Sequence, residues 1–175
     1  IAPYQVVLID IKDKMILESL KNNKIRFIVD DKKKPAKEKT DYWTLMGIPI
    51  MAVKDKNMVR LIRRDTSEEI STNKNLLLKE IIKTLSSIQN NLHKKAKDFN
   101  KKYTTKADSW EEFKDIALTE GGFIEAFWCG NQECTKEIRE LKKYSARVIN
   151  PSTSTKKCIH CDKKAPYSAT FAPAY

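Results

Sequence analysis

The stretch Phe127-Trp-Cys-Gly-Asn-Gln-Glu-Cys134, with Cys158-Ile-His-Cys161 further on, holds all four cysteines of the chain. Four residues separate the members of the first pair and two separate those of the second. A thiolate pair closed by two to four residues grips one metal ion from a tight knuckle. Two such pairs complete the tetrahedral sphere that zinc accepts. Cys129, Cys134, Cys158 and Cys161 are therefore the expected ligands. Four sulfurs leave no open position for water or substrate, so a site of this kind is structural rather than catalytic. Other readings stay open at this point. Two disulfides would use the same residues, although oxidised stapling belongs mostly to small secreted chains and this one is lysine-rich with a large helical part. The four could also be unrelated buried thiols. His160, inside the second knuckle, could stand in for a thiolate, while His93 reads as a solvated or packed residue of a long helix.

Outward from the cysteines, short elements are expected. Residues 123–128 form a strand leading into the first knuckle, and 135–144 a helix after it. Residues 147–149 form a short strand, 150–157 a loop, and 166–172 a final strand. Phe171 and Pro173 should stiffen the tail. Ahead of this region, Ser109-Trp-Glu-Glu112 is a capping box opening a helix that stops at Gly121-Gly122. The polar segment 101–108 is the expected domain boundary, placing one domain at 1–100 and a second at 101–175.

The first domain begins with Gln5-Val-Val-Leu-Ile-Asp-Ile11, an apolar run rich in β-branched residues and read as a buried strand. Ile16, Leu17 and Leu20 share a helical face, and Ile25 to Val29 is a second buried strand. Strand, helix and strand in so short a span make a βαβ unit with a parallel pair. The charged segment 30–39 reads as an exposed loop. Asp41 is the expected cap of a short helix carrying Tyr42, Trp43, Leu45 and Met46, ended by Gly47. Residues 48–53 and 58–62 are strands joined by a short turn, hence an antiparallel hairpin and a mixed sheet. Asn73 is the expected cap of a long helix whose apolar residues, Leu76 to Phe99, recur at three and four.

The 175 residues suit one large domain or two small ones, and a hydrophobic share of 41% excludes a disordered chain. Lys and Arg number 34 against 23 Asp and Glu, a formal charge of +11, which favours a polyanionic partner such as nucleic acid. A merely solvated lysine surface is the competing reading. No apolar run approaches the roughly 20 residues of a membrane helix, so no membrane partner is expected. The chain opens Ile1-Ala-Pro without an initiator methionine and is expected to be a fragment or a processed product.

Several phrases resemble one family. Ile1-Ala-Pro-Tyr-Gln-Val-Val7, Val29-Asp-Asp31, Trp43-Thr-Leu-Met-Gly-Ile-Pro-Ile50 and Val59-Arg-Leu-Ile-Arg-Arg-Asp-Thr66 are similar, in this order, to the C-terminal part of prolyl-tRNA synthetases of the archaeal and eukaryotic type. Gly121-Gly-Phe123, Phe127-Trp-Cys-Gly130, Cys134, Cys158-Ile-His-Cys161, Lys164-Ala-Pro166 and Phe171-Ala-Pro-Ala-Tyr175 continue the likeness. The resemblance implies an α/β anticodon-binding domain with a mixed sheet, followed by a small α+β zinc-binding domain. It implies a homodimeric, cytoplasmic or organellar ligase that joins proline to tRNA(Pro) with ATP and magnesium. The catalytic domain would lie outside this chain, which holds no catalytic residue of its own. It further implies that the carboxylate of Tyr175 points toward that catalytic domain.

The chain departs from the family where bases are contacted. Met51-Ala-Val-Lys-Asp55 is shorter than the corresponding segment, and Pro35-Ala-Lys-Glu-Lys39 keeps only the lysine of a family loop. Backbone contacts need only positive charge in reach, so Lys39, Lys54, Arg63 and Arg64 are the candidate tRNA-binding residues. The alternative is a non-enzymatic RNA-binding or scaffold protein derived from that enzyme.

Overall fold

Val6-Val-Leu-Ile9 (β1) is buried at every position because it has a strand on either side and a core on either face. Val6 and Leu8 point into one core, Val7 and Ile9 into the other. A strand covered on both faces cannot alternate apolar with polar, which is why the sequence reads as one unbroken apolar run. The computed structural model describes residues 2–174 and divides into two units, Ile1–Lys95 and Ala96–Tyr175.

In the first unit β1 is followed by α1 (Lys14–Asn22), β2 (Phe27–Asp30), α2 (Ala36–Leu45), β3 (Ile50–Asp55), β4 (Met58–Arg63), β5 (Glu69–Asn73) and the first part of α3 (Leu77–Tyr103), a helix that continues into the second unit. The five strands lie in the order β2-β1-β3-β4-β5. β1 is parallel to β2 and β3, and β3-β4 and β4-β5 are antiparallel, so the sheet is mixed as expected. One face carries Ile16 and Leu20 of α1 with Leu77, Ile81 and Ile88 of α3. The other carries Trp43 of α2 with Ile48, Met51 and Val53. Asp13 caps α1, its Oδ1 accepting the N–H of Met15 at 3.1 Å.

Three local expectations give way here. The segment 30–39 is not all loop, because α2 begins at Ala36, with Pro35 supplying a preset φ of −53° at the N-cap. Asp41 lies inside that helix rather than capping it. Only Lys39 and Trp43 of α2 are buried, so no apolar stripe betrayed its first turn. β5 escaped notice because it is an edge strand in which Thr72 alone is buried. Asn73 therefore ends a strand, although its side chain still accepts the N–H of Leu76 at 3.0 Å just before α3.

The second unit holds β6 (Thr104–Lys106), α4 (Trp110–Leu118), β7 (Phe123–Trp128), α5 (Gln132–Glu140), β8 (Tyr144–Pro151) and β9 (Tyr167–Pro173). Its sheet runs β6-β7-β9-β8, with β6 parallel to β7 and the other pairs antiparallel. The polar segment 101–108 is thus not only a linker: three of its residues pair along the edge of this sheet. Ser109 accepts the N–H of Glu112 at 3.2 Å as the capping box requires. Glu112 reaches back to the N–H of Asp108 at 2.9 Å, one residue earlier than the motif specifies. Phe113, Tyr144 and Phe171 are fully buried, and Phe113 meets the other two edge-on at centroid distances of 6.1 and 5.4 Å. Gly122, with φ +89°, lies against the carbonyl oxygen of Tyr103, which an added Cβ would meet at 2.7 Å. Among the described residues no helix is long and apolar enough to cross a membrane.

Candidate metal centre and nucleic-acid surface

β7 delivers its last residue, Trp128, directly into the first knuckle. Gly130 turns the chain with a φ of +82°, and Asn131 caps α5 by accepting the N–H of Glu133 at 2.8 Å. Cys129 therefore sits at a strand end and Cys134 in the first turn of a helix, which aims both sulfurs into one corner. The second knuckle is a small loop closed on itself. The N–H of Cys158 donates to the carbonyl of Lys163 at 2.7 Å, and Lys157 bridges Lys164. One further bond joins the two knuckles: the N–H of Ile159 donates to the carbonyl of Phe127 at 2.8 Å.

The result is a cluster in which the four sulfurs all lie within 4.8 Å of one another. Cys129 Sγ is 3.6 Å from Cys134 Sγ and 3.8 Å from Cys161 Sγ. A tetrahedron of sulfurs around zinc, with bonds of about 2.3 Å, has edges of about 3.8 Å. The donor set and its size suit one such ion. All four cysteines are free, so the disulfide reading is not what the fold adopts. His160 lies outside the cluster, its ring edge-on to Trp110 at 4.8 Å. His93 is exposed on α3.

Burial pushes the thiols of Cys134 and Cys129 up from their ordinary range, although the N–H of Asn131 works against it at Cys129. At Cys158 burial also acts upward, but backbone hydrogen bonds at Cys161, His160 and Cys129 overcome it and draw this thiol down. Four thiolates this close would repel one another, and a divalent cation held by Cys129, Cys134, Cys158 and Cys161 would offset that repulsion.

The four candidate RNA contacts are not brought together. Lys39 is buried, and its Nζ is held at 2.7 Å by Asp10, itself at a strained φ of +59°. Arg63 is also inside the fold. Its Nε and Nη2 grip the two carboxylate oxygens of Asp65 at 3.1 and 2.9 Å, and Nη1 donates to Ser87 at 3.1 Å. Asn91 donates to the same carboxylate at 2.6 Å. The guanidinium beside Asp65 holds its carboxyl below the usual range against the opposing effect of burial, with Asn91 assisting. Lys54 and Arg64 are exposed, but at opposite ends of the β3-β4 ladder, since Lys54 pairs with Val59 while Arg63 pairs with Ile50. Arg64 is thus five residues along the chain from the partner of Lys54, roughly 16 Å at the rise of a strand. Tyr175 lies outside the described residues.

Sequence reasoning did not find the crevice beside Lys54. Asp10, Lys12, Asp13, Lys54 and Lys74 line it at the carboxyl end of β1, where the strand order reverses. Open α/β sheets take ligands at this position. Strand order is a tertiary property that no local pattern announces.

Comparison with known proteins agrees with this geometry. Residues 5–88 match the family described as an anticodon binding domain, and residues 110–175 the one described as prolyl-tRNA synthetase, C-terminal. The chain is 31% identical along its whole length to the proline–tRNA ligase of Thermococcus kodakarensis and covers 41% of it. It is 32% identical, again along its whole length, to that of Clostridium novyi, covering 40%. Prolyl-tRNA synthetase from Cryptosporidium parvum, solved in complex with halofuginone and AMPPNP, superposes with a TM-score of 0.77 at 25% identity, over 99% of this chain and 41% of that one. The chain spans about two fifths of the length of these relatives.

Proposed function

The chain belongs to the prolyl-tRNA synthetase family, and from that premise we propose that it serves as the tRNA-holding, metal-stapled C-terminal portion of a working proline–tRNA ligase. The observation that carries the proposal is the pairing of an anticodon-binding sheet with a four-cysteine domain, in family order, on one chain. In this reading the ligase activates proline with ATP and magnesium on a catalytic domain outside these residues. It works as a homodimer in the cytoplasm and transfers proline to tRNA(Pro).

This portion contributes binding and position. Lys54 and Arg64 are exposed cations that reach phosphates, while Lys39 and Arg63 hold the fold that presents them. Phosphate contacts of this kind fix register and carry no sequence information. The metal is zinc in this proposal, held by Cys129, Cys134, Cys158 and Cys161, and it supplies folding free energy to a small domain. The reading frame upstream of Ile1 tests the proposal. A frame continuing into an antiparallel catalytic domain with an arginine pair for ATP phosphates is expected. A start codon within a few residues of Ile1 would instead favour a non-enzymatic RNA-binding protein.

A further inference from the structure

The second half of α3 carries no buried residue. Ile88 is the last buried residue of the helix, and every residue from Leu92 to Tyr103 is exposed. Lys94, Lys97 and Lys101 recur at three and four residues and share one stripe, and Lys95 with Lys102 forms the next. Asp98 is the one carboxylate between Lys94 and Tyr103. None of the five lysines pairs with a carboxylate among the described residues. Bordering them, Phe99 and Tyr103 are about half exposed and touch, with ring centroids 4.5 Å apart. Lys102 Nζ lies 5.0 Å from the centre of the Tyr103 ring.

Five cations on three turns, with Asp98 the one carboxylate among them and Lys95 Nζ donating to the carbonyl oxygen of Asp65 at 3.4 Å, leave a net positive face complementary to a polyanion. The two exposed rings beside them add a second requirement, a flat apolar partner. RNA meets both demands, because its phosphates follow the cations and an unpaired base covers a ring. We propose that the second half of α3 is an RNA-contacting surface. Lys94, Lys97 and Lys101 take backbone phosphates, and Phe99 with Tyr103 stacks an unpaired base. This rests on the RNA-binding reading above.

The test is the affinity of the full 175-residue chain for a fluorescein-labelled tRNA(Pro) transcript across a salt series. Replacing Lys94, Lys97 and Lys101 together by Ala should lower the slope of log affinity against log salt by about two to three units, roughly one per lost phosphate contact. Phe99→Ala should weaken binding about fivefold or more without changing the slope, and Phe99→Tyr should restore it. Alanine at exposed helical positions favours the helix, and circular dichroism verifies that it is kept. If these variants bind as the unaltered chain does while Lys54→Ala with Arg64→Ala loses affinity, the α3 surface is overturned and the RNA-binding reading stands. If the unaltered chain binds nothing at low salt, both fall. A reduced slope with no effect of Phe99→Ala overturns base stacking. Loss of self-association in Phe99→Ala, by sedimentation, with RNA binding intact would assign the face to a second copy instead.

Discussion

Replacing Arg63 by Ala should unfold the first unit far more readily than replacing its neighbour Arg64. The side chains of Arg63 and Asp65 are 10% and 4% exposed, and two parallel hydrogen bonds join them. Truncating Arg63 leaves the Asp65 carboxylate buried with Asn91 as its remaining side-chain partner and strands Ser87 without its donor. Breaking a buried pair from one side costs about 3–5 kcal/mol, whereas an exposed substitution such as Arg64→Ala costs about 0.5 kcal/mol or less. With a urea dependence of about 1–2 kcal/mol per molar for a unit of this size, Arg63→Ala should lower the midpoint by about 2 M. Trp43 is the one tryptophan of the first unit, so its fluorescence, isolated by replacing Trp110 and Trp128 with Phe, reports this transition. The double variant Arg63→Ala with Asp65→Ala should recover part of the loss, because no unpaired charge remains. The pH dependence follows from the depressed Asp65 pKa. The contribution is complete above the unfolded carboxylate value near 4 and is lost as pH falls through the lower folded value, so the two single variants should converge in acid. Equal midpoints for Arg63→Ala and Arg64→Ala at neutral pH would refute the assignment of Arg63 to the fold.

Two further outcomes are expected. Metal analysis should find one zinc per chain. Cys158→Ser should release it and lower the melting temperature of the second unit, and a strong chelator should do the same to the unaltered chain; reactive thiols with no metal and an unmoved melt would remove the site. Gly122→Ala should cost about 2–3 kcal/mol and Gly121→Ala about 1–2 kcal/mol, because both hold a positive φ but only Gly122 has a backbone oxygen within 3 Å of the new Cβ. Identical unfolding midpoints would show that the backbone at Tyr103 yields.

The parts of this structure that the sequence announced are those where burial is two-sided or the chemistry is rare. Val6 to Ile9 could be read as a central strand because every residue is apolar, and four cysteines in two knuckles point to one place whatever lies between them. Thr104 to Lys106 and Glu69 to Asn73 were not legible as strands, because edge strands bury little and their composition is that of loops. The first turn of α2 was hidden for a related reason. Its buried residue there is Lys39, and a lysine reads as solvent-facing until its partner Asp10 is known. The same blindness to partners placed Arg63 among the RNA contacts, since a cation bonded within the fold and a free one look alike in one dimension.

The measurement that bears most directly on the account is proline attachment by the full-length gene product that contains these residues. With ATP, magnesium and tRNA(Pro), the purified protein should form prolyl-tRNA. Proline alone among the amino acids should drive exchange of pyrophosphate into ATP most efficiently. Removing residues 1–175 should abolish charging more completely than it abolishes that exchange, because the tRNA is held here and proline is activated elsewhere. A full-length protein that binds tRNA but charges none of it, and shows no proline-dependent exchange, would contradict the account.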